Sequence, residues 1–174
     1  MNEITSKELY QMDMARYNNK APLYIKMLMF TLRKAQKGSL VWKALFRFLA
    51  NHKLLEISPI TKIGGGMYLG HCQGITINPG AKIGCNVNIH KGVTIGQENR
   101  GKRKGVPIIG NSVWIGVNAT IVGHVAIGDD VLIAPNSYVN CDVPSHSVVF
   151  GNPCIVKPKE NATEGYVNNK CNYK

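Results

Sequence analysis

The chain has 174 residues, a formal net charge of +11 and five cysteines. That length makes one domain with room for a small appendage. The charge would suit nucleic acid or a membrane surface, but the basic residues are spread over the N-terminal third, one internal segment and the tail. With no aromatic interleaving and no nucleic-acid motif, nucleic acid is not expected as a partner, and a small polyanion accounts for part of the charge. No run of about eighteen apolar residues exists, and Glu3, Glu8 and Asp13 spoil a signal-peptide pattern, so a cytoplasmic protein is expected.

Residues 1–53 read as a helical region. Thr5 with Glu8 has the spacing of a capping box, Pro22 suits a first helical turn, and Gly38-Ser39 separates a helix over Leu23 to Lys37 from one over Leu40 to Asn51. Leu23, Met27 and Phe30 share one face, as do Leu40, Ala44 and Phe48. The flanking Lys26, Arg33, Lys34, Lys37, Lys43, Arg47 and Lys53 make peripheral membrane contact conceivable. Helices that cover the end of the following domain, or pack on a sister subunit, are favoured, because an open β end invites aggregation.

From Ile57 to Val139 an aliphatic residue returns every sixth position: Ile57, Ile63, Leu69, then Ile77, Ile83, Ile89, Ile95, then Ile109, Ile115, Ile121, Ile127, Ile133, Val139. The fourth residue after each is small or β-branched, as at Thr61, Ala81, Val87 and Val93. A six-residue period fits neither a helix nor an ordinary meander. It fits short strands joined by tight corners, three to a coil, with the anchors stacked in an apolar column. Corners favour residues that accept positive φ, here Gly64-Gly65-Gly66, Asn86, Asn111 and Asn118. Two phase breaks must leave the coil as loops: two extra residues in Gly70–Gly74, and a basic segment from Gln97 to Gly105. Past Val139, prolines 144, 153 and 158 interrupt the pattern. The expected division is 1–53 helical, 54–158 β-solenoid, and 159–174 a loose polar tail.

The hexads, together with Gly-His-x-x-Gly-Ile at Gly70–Ile75, Val93-Thr94-Ile95-Gly96, Pro107-Ile108-Ile109-Gly110 and Gly151-Asn152-Pro153, resemble the hexapeptide-repeat acyltransferases, specifically the serine acetyltransferase branch. The resemblance runs from about Glu56 to Lys157. It implies a left-handed parallel β-helix, against the usual crossover rule, a homotrimer with active sites between subunits, and acetyl-CoA as donor, with no metal.

Acetyl transfer from a thioester to an alcohol needs a base for the hydroxyl proton, and histidine suits this near neutral pH. His71 lies in the first phase break, at the position that matches the family's catalytic histidine. His90, one coil on, is a candidate for the same cleft. Glu56 matches the place of the aspartate that orients the base, with one methylene more. His52 falls in the helical region, His124 on a solvated face and His146 past the repeats. Cys72 as a covalent nucleophile is a rival, but it points away from His71 on a strand. The cysteines Cys72, Cys85, Cys141, Cys154 and Cys171 include no Cys-x-x-Cys pair and read as free thiols, with no disulfide framework or zinc site.

By family position, Gly96, Val117 and Pro135 line the donor slot and Lys157 lies near its phosphates. Arg100, Lys102, Arg103 and Lys104 meet either the donor phosphates or an acceptor, or are simply solvated. The aspartate that precedes the histidine in serine acetyltransferases is Gly70 here, and a loop histidine is Val106. Two lost hydrogen bonds to charged groups, roughly 1.5 to 3 kcal/mol each, weaken a free amino acid, so the sequence points to a sugar or polysaccharide-precursor hydroxyl as acceptor. Serine O-acetylation is the alternative, and a non-catalytic trimeric scaffold is the reading of another class.

Overall fold

The computed structural model describes residues 4–172, so Glu3 and the last two residues of the expected tail lie outside it. Three helices precede the repeats: α1 (Ser6–Ala15), α2 (Leu23–Ala35) and α3 (Leu40–Asn51). The capping box forms as the sequence requires, with Thr5 Oγ1 accepting from the Glu8 amide and the Glu8 carboxylate accepting from the Thr5 amide. Asp13 and Arg33 join α1 to α2 through two hydrogen bonds of 2.7 and 2.8 Å with both side chains fully buried. Arg33 also donates to the Ile63 and Gly64 carbonyls, and Asp13 accepts from the Met67 amide. The ion pair therefore fastens the helices to the first coil. Leu23, Leu40, Val41 and Phe48 of α2 and α3 remain exposed.

The repeats form five coils. The first is β1 (Glu56–Ile57), β2 (Lys62–Ile63) and β3 (Tyr68–Gly70), and the second β4 (Thr76–Ile77), β5 (Lys82–Ile83) and β6 (Asn88–His90). The third is β7 (Thr94–Gly96), β8 (Ile108–Ile109) and β9 (Trp114–Ile115), and the fourth β10 (Thr120–Val122), β11 (Ala126–Ile127) and β12 (Val131–Ile133). The last holds β13 (Tyr138–Val139), a bridge of Val143 to Ile127, and β14 (Ser147–Phe150), after which β15 (Ile155–Pro158) turns back antiparallel along β14. Equivalent strands stack into three sheets: β1-β4-β7-β10-β13, β2-β5-β8-β11, and β3-β6-β9-β12-β14-β15. All pairings but the last are parallel.

The register is anchor on anchor: Ile57 on Ile77 on Ile95 on Ile121 on Val139 in the first sheet. All thirteen anchors are buried, as are Thr61, Ala81, Val87, Val93 and their equivalents. Burial of each large aliphatic side chain contributes roughly 1.5 to 3 kcal/mol, and parallel stacking lets every coil share that column with its neighbours.

The corners between the second and third sheets repeat a left-handed residue at Gly66, Asn86, Ser112, Asp130 and His146. The residue at the third of these is Ser112 rather than the expected Asn111. His146 closes this row rather than lying in irregular chain, and its amide bonds to the Asp129 carbonyl.

The segment after Lys159, expected to be loose, is folded against the outer face of the third sheet. Asp130 accepts from the Ala162 and Thr163 amides and the Thr163 hydroxyl. The side chain of Asn88 donates to the Tyr166 carbonyl, Arg16 donates to that of Asn168, and Asn86 exchanges two hydrogen bonds with the Cys171 backbone. A polar composition misleads here because side chains on the sheet satisfy the segment's backbone groups.

Candidate functional site

The corner between the third and first sheets has its own backbone ladder. Gly92, Asn118 and Asn136 amides donate to the carbonyls of Gln73, Lys91 and Val117 one coil earlier. In the first coil Gly74 takes the regular corner conformation, and the two extra residues add a second left-handed position just before it, His71 at φ 51°. The insertion lifts His71 out of the wall, leaving it exposed.

Gly70 pairs with His90 across β3 and β6. A Cβ at Gly70 would lie 2.5 Å from the Cε1 and Nδ1 atoms of His90, so the imidazole covers the glycine. The His71 and His90 rings are 6.5 Å apart. His90 Nε2 is buried without a hydrogen-bond partner. Burial, and then the proximity of His71, lower the His90 pKa, which favours its neutral ring.

Beyond His90, Trp114 lies 4.8 Å away ring to ring, with Tyr166 of the returning segment 5.1 Å further on. A cavity of about 400 Å³ opens here, lined by Tyr17, Tyr68, Asn88, His90, Trp114 and Tyr166 among others. The sequence reading missed Trp114, although Tyr68, Asn88 and Trp114 each precede an anchor and stack in register. The hexad phase alone placed them on one outer face. No periodic signal marks Tyr166.

Other candidates separate by edge. Val117 and Pro135 follow β9 and β12 at the same corner as His71, two and three coils along. Lys157 is on β15 at the far end of the third sheet, its Nζ 5.9 Å from the Phe150 ring centre. Gly96 instead ends β7 at the corner between the first and second sheets, where the basic segment leaves. That segment closes through paired Glu98 and Gly105 backbones and rests on the next coil, with the His124 amide donating to the Arg103 carbonyl. Val106 lies beside Gly80 on this edge. Within one chain, then, the basic loop and His71 stand on opposite margins of the first sheet.

Glu56 is exposed on β1, its carboxylate accepting from the Thr76 hydroxyl at 3.3 Å, and no hydrogen bond joins it to His71 among the described residues. Burial pushes the Cys72 thiol up to about 11, which leaves little thiolate at neutral pH and weakens the case for a covalent nucleophile. Among the described residues no group of three or more His, Cys, Asp or Glu side chains could hold a metal ion, and no helix is long and apolar enough to cross a membrane.

Comparison with known proteins adds names to this geometry. Residues 107–141 match the bacterial transferase hexapeptide (six repeats) family. A serine acetyltransferase of Helicobacter pylori is 39% identical over 97 residues, 56% of this chain and 57% of the relative. One of Staphylococcus aureus is 39% identical over 111 residues, 64% of this chain and 52% of the relative. The chain thus spans about half the length of these relatives. The crystal structure of Neisseria gonorrhoeae serine acetyltransferase in complex with serine superposes with a TM-score of 0.71 at 26% identity, covering 87% of this chain and 69% of that one.

These findings overturn the expectation of a sugar or polysaccharide acceptor, because the matching relatives are named for serine. The groups missing at Gly70 and Val106 imply a lost amino-acid site only if the space over Gly70 is empty, and it is filled by another polar side chain, His90. In its repeat, its stacked register, the matched hexapeptide model and the relatives found by sequence and by fold, this chain is similar to the hexapeptide-repeat acyltransferases of the serine acetyltransferase-like branch.

Proposed function

We propose that this chain is an acetyl-CoA-dependent serine O-acetyltransferase with His71 as general base. The observation that carries the reading is the placement of His71, lifted from the coil by a two-residue insertion on the edge that also bears Val117 and Pro135. The serine hydroxyl donates a hydrogen bond to an imidazole nitrogen of His71. As the oxygen attacks the thioester carbonyl carbon, its proton passes to His71, the carbon–sulfur bond breaks, and the imidazolium returns the proton to the departing thiolate. The products are O-acetylserine and CoA. His90, whose neutral form is favoured by burial and by its neighbour, offers a nitrogen that accepts from the serine ammonium where an aspartate would otherwise stand.

The donor lies along the shared edge. Three strand spacings of ~4.8 Å separate the His71 level from Pro135 and five separate it from Lys157, roughly 14 and 24 Å, which suits an extended pantetheine arm that runs past Pro135 with its phosphates towards Lys157. Because the basic loop and Val106 stand on the opposite margin of the first sheet, they reach a histidine only on a neighbouring subunit. The active unit in this reading is a homotrimer with sites between chains, where Gly96 and the loop of one subunit face His71 of the next. Glu56 reaches the base only through rearrangement or across that boundary.

The test is thiol release from acetyl-CoA with L-serine as acceptor. Serine-dependent CoA formation, lost by about 10² to 10⁴ in His71→Ala, is expected. No serine-dependent release from correctly folded protein refutes the assignment.

A further inference from the structure

Cys141 and Cys154 are 13 residues apart and carry no motif, yet the fold sets their sulfurs 3.6 Å from each other. Cys141 follows β13 in the last coil, and Cys154 sits in the turn between β14 and β15. Both are half-exposed, so a small reagent reaches them. All five cysteines are partly exposed; Cys72 and Cys154 both pack in part against the core, and Cys171 donates to the Met12 carbonyl. No other pair of sulfurs is in hydrogen-bond contact among the described residues. A metal does not explain the pair, since no cluster of three ligating side chains exists there.

The surroundings connect the two thiols to the extruded loop and to the end of the proposed donor edge. Asp142, next to Cys141, accepts from the Ala126 amide at 2.9 Å and pairs with Arg103 of the loop at 3.6 Å. Cys154 immediately precedes the strand that carries Lys157. Burial, and then the neighbouring Cys154, raise the Cys141 pKa. The Cys141 thiol is therefore protonated at rest and reacts through a small thiolate fraction.

We propose that Cys141 and Cys154 form a redox-active dithiol that closes reversibly to a disulfide by exchange with a low-molecular-weight disulfide. One thiolate attacks the reagent, releasing one small thiol and leaving a mixed disulfide on the protein. The second thiolate then attacks the protein sulfur of that mixed disulfide and releases the second small thiol. The two thiol protons of the protein end on the two released thiols, and the reagent is reduced as the protein is oxidised. The sulfurs must close from 3.6 Å to about 2.0 Å. The bond would tie the turn that anchors Arg103 to the hairpin that carries Lys157.

The test treats the full-length protein with excess glutathione disulfide, removes the reagent, and counts thiols after denaturation. Titratable thiols should fall from five to three, the mass should drop by two hydrogens with no adduct retained, and a peptide map should join Cys141 to Cys154. Reduction with dithiothreitol should restore all five. In Cys141→Ser and Cys154→Ser the remaining partner should instead keep a glutathione adduct. Five unreacted thiols, adducts that persist in the unsubstituted protein, a different mapped pair, or the same two-thiol loss in either variant would each overturn the proposal.

Discussion

Asp130→Asn measures what holds the C-terminal segment in place. Asp130 occupies a left-handed corner at φ 53°, a conformation that asparagine accepts as readily, so the substitution removes charge and acceptor capacity without backbone strain. Its carboxylate accepts from the Ala162 amide at 3.0 Å, the Thr163 amide at 3.0 Å, the Thr163 hydroxyl at 2.6 Å and His146 Nδ1 at 2.9 Å. Burial opposes ionisation, but the bonds from Thr163, His146 and Ala162 outweigh it and hold the group down from 3.8 to about 2. At 1.36 kcal/mol per tenfold this corresponds to roughly 2.5 kcal/mol, and the side chain's 13% exposure supports a working figure of about 2 kcal/mol.

The sign follows from a depressed folded-state value. The contribution is complete above pH 3.8 and disappears as pH falls through about 2. His146, raised by its bond to Asp130 and by Glu160, has the opposite sense: its contribution is complete below 6.5 and is lost as pH rises through its folded-state value. Hydrogen exchange at the Ala162 and Thr163 amides reads the opening of the segment directly. At pH 6 the variant should exchange these amides about thirtyfold faster, and Trp114 fluorescence should report the loss of Tyr166 beside it. Unchanged protection, with full-strength docking of the segment, would refute the account of the clamp.

Three further outcomes are expected. Asp13→Ala leaves the fully buried Arg33 charge without its carboxylate and should cost about 3 to 5 kcal/mol in urea unfolding; a loss under 1 kcal/mol would show that the pair does not fasten the helices. His71→Ala should lower turnover by about 10² to 10⁴ with the acetyl-CoA dissociation constant unchanged, while Glu56→Gln, which is bonded to Thr76 rather than to the base, should lose less; equal losses would place Glu56 in direct partnership with His71 in the assembly. Sedimentation equilibrium at micromolar concentration should give a trimer, and an active monomer would sink the shared-site arrangement.

The sequence by itself determined the solenoid. Thirteen anchors at a six-residue spacing have one way to share an apolar column, and an inserted residue can only leave it, so the coils, both loops and the exposure of His71 follow from periodicity and sterics. The helix boundaries followed from equally local chemistry, a capping box and a glycine break.

Tertiary structure alone decided what meets across coils. Periodicity assigns a residue to a face but not its neighbours on that face, so it could not show His90 lying over Gly70, and the inference drawn from a missing aspartate failed there. It could not place the basic loop and His71 on opposite margins of the first sheet, because edge identity depends on counting both insertions through a closed coil. It also left the last fifteen or so residues as loose tail. Their order comes from Asp130, Asn86, Asn88 and Arg16, which satisfy the segment's backbone groups from 32 to 152 positions away. The Cys141–Cys154 contact has the same origin: it exists only because the chain reverses along the last coil.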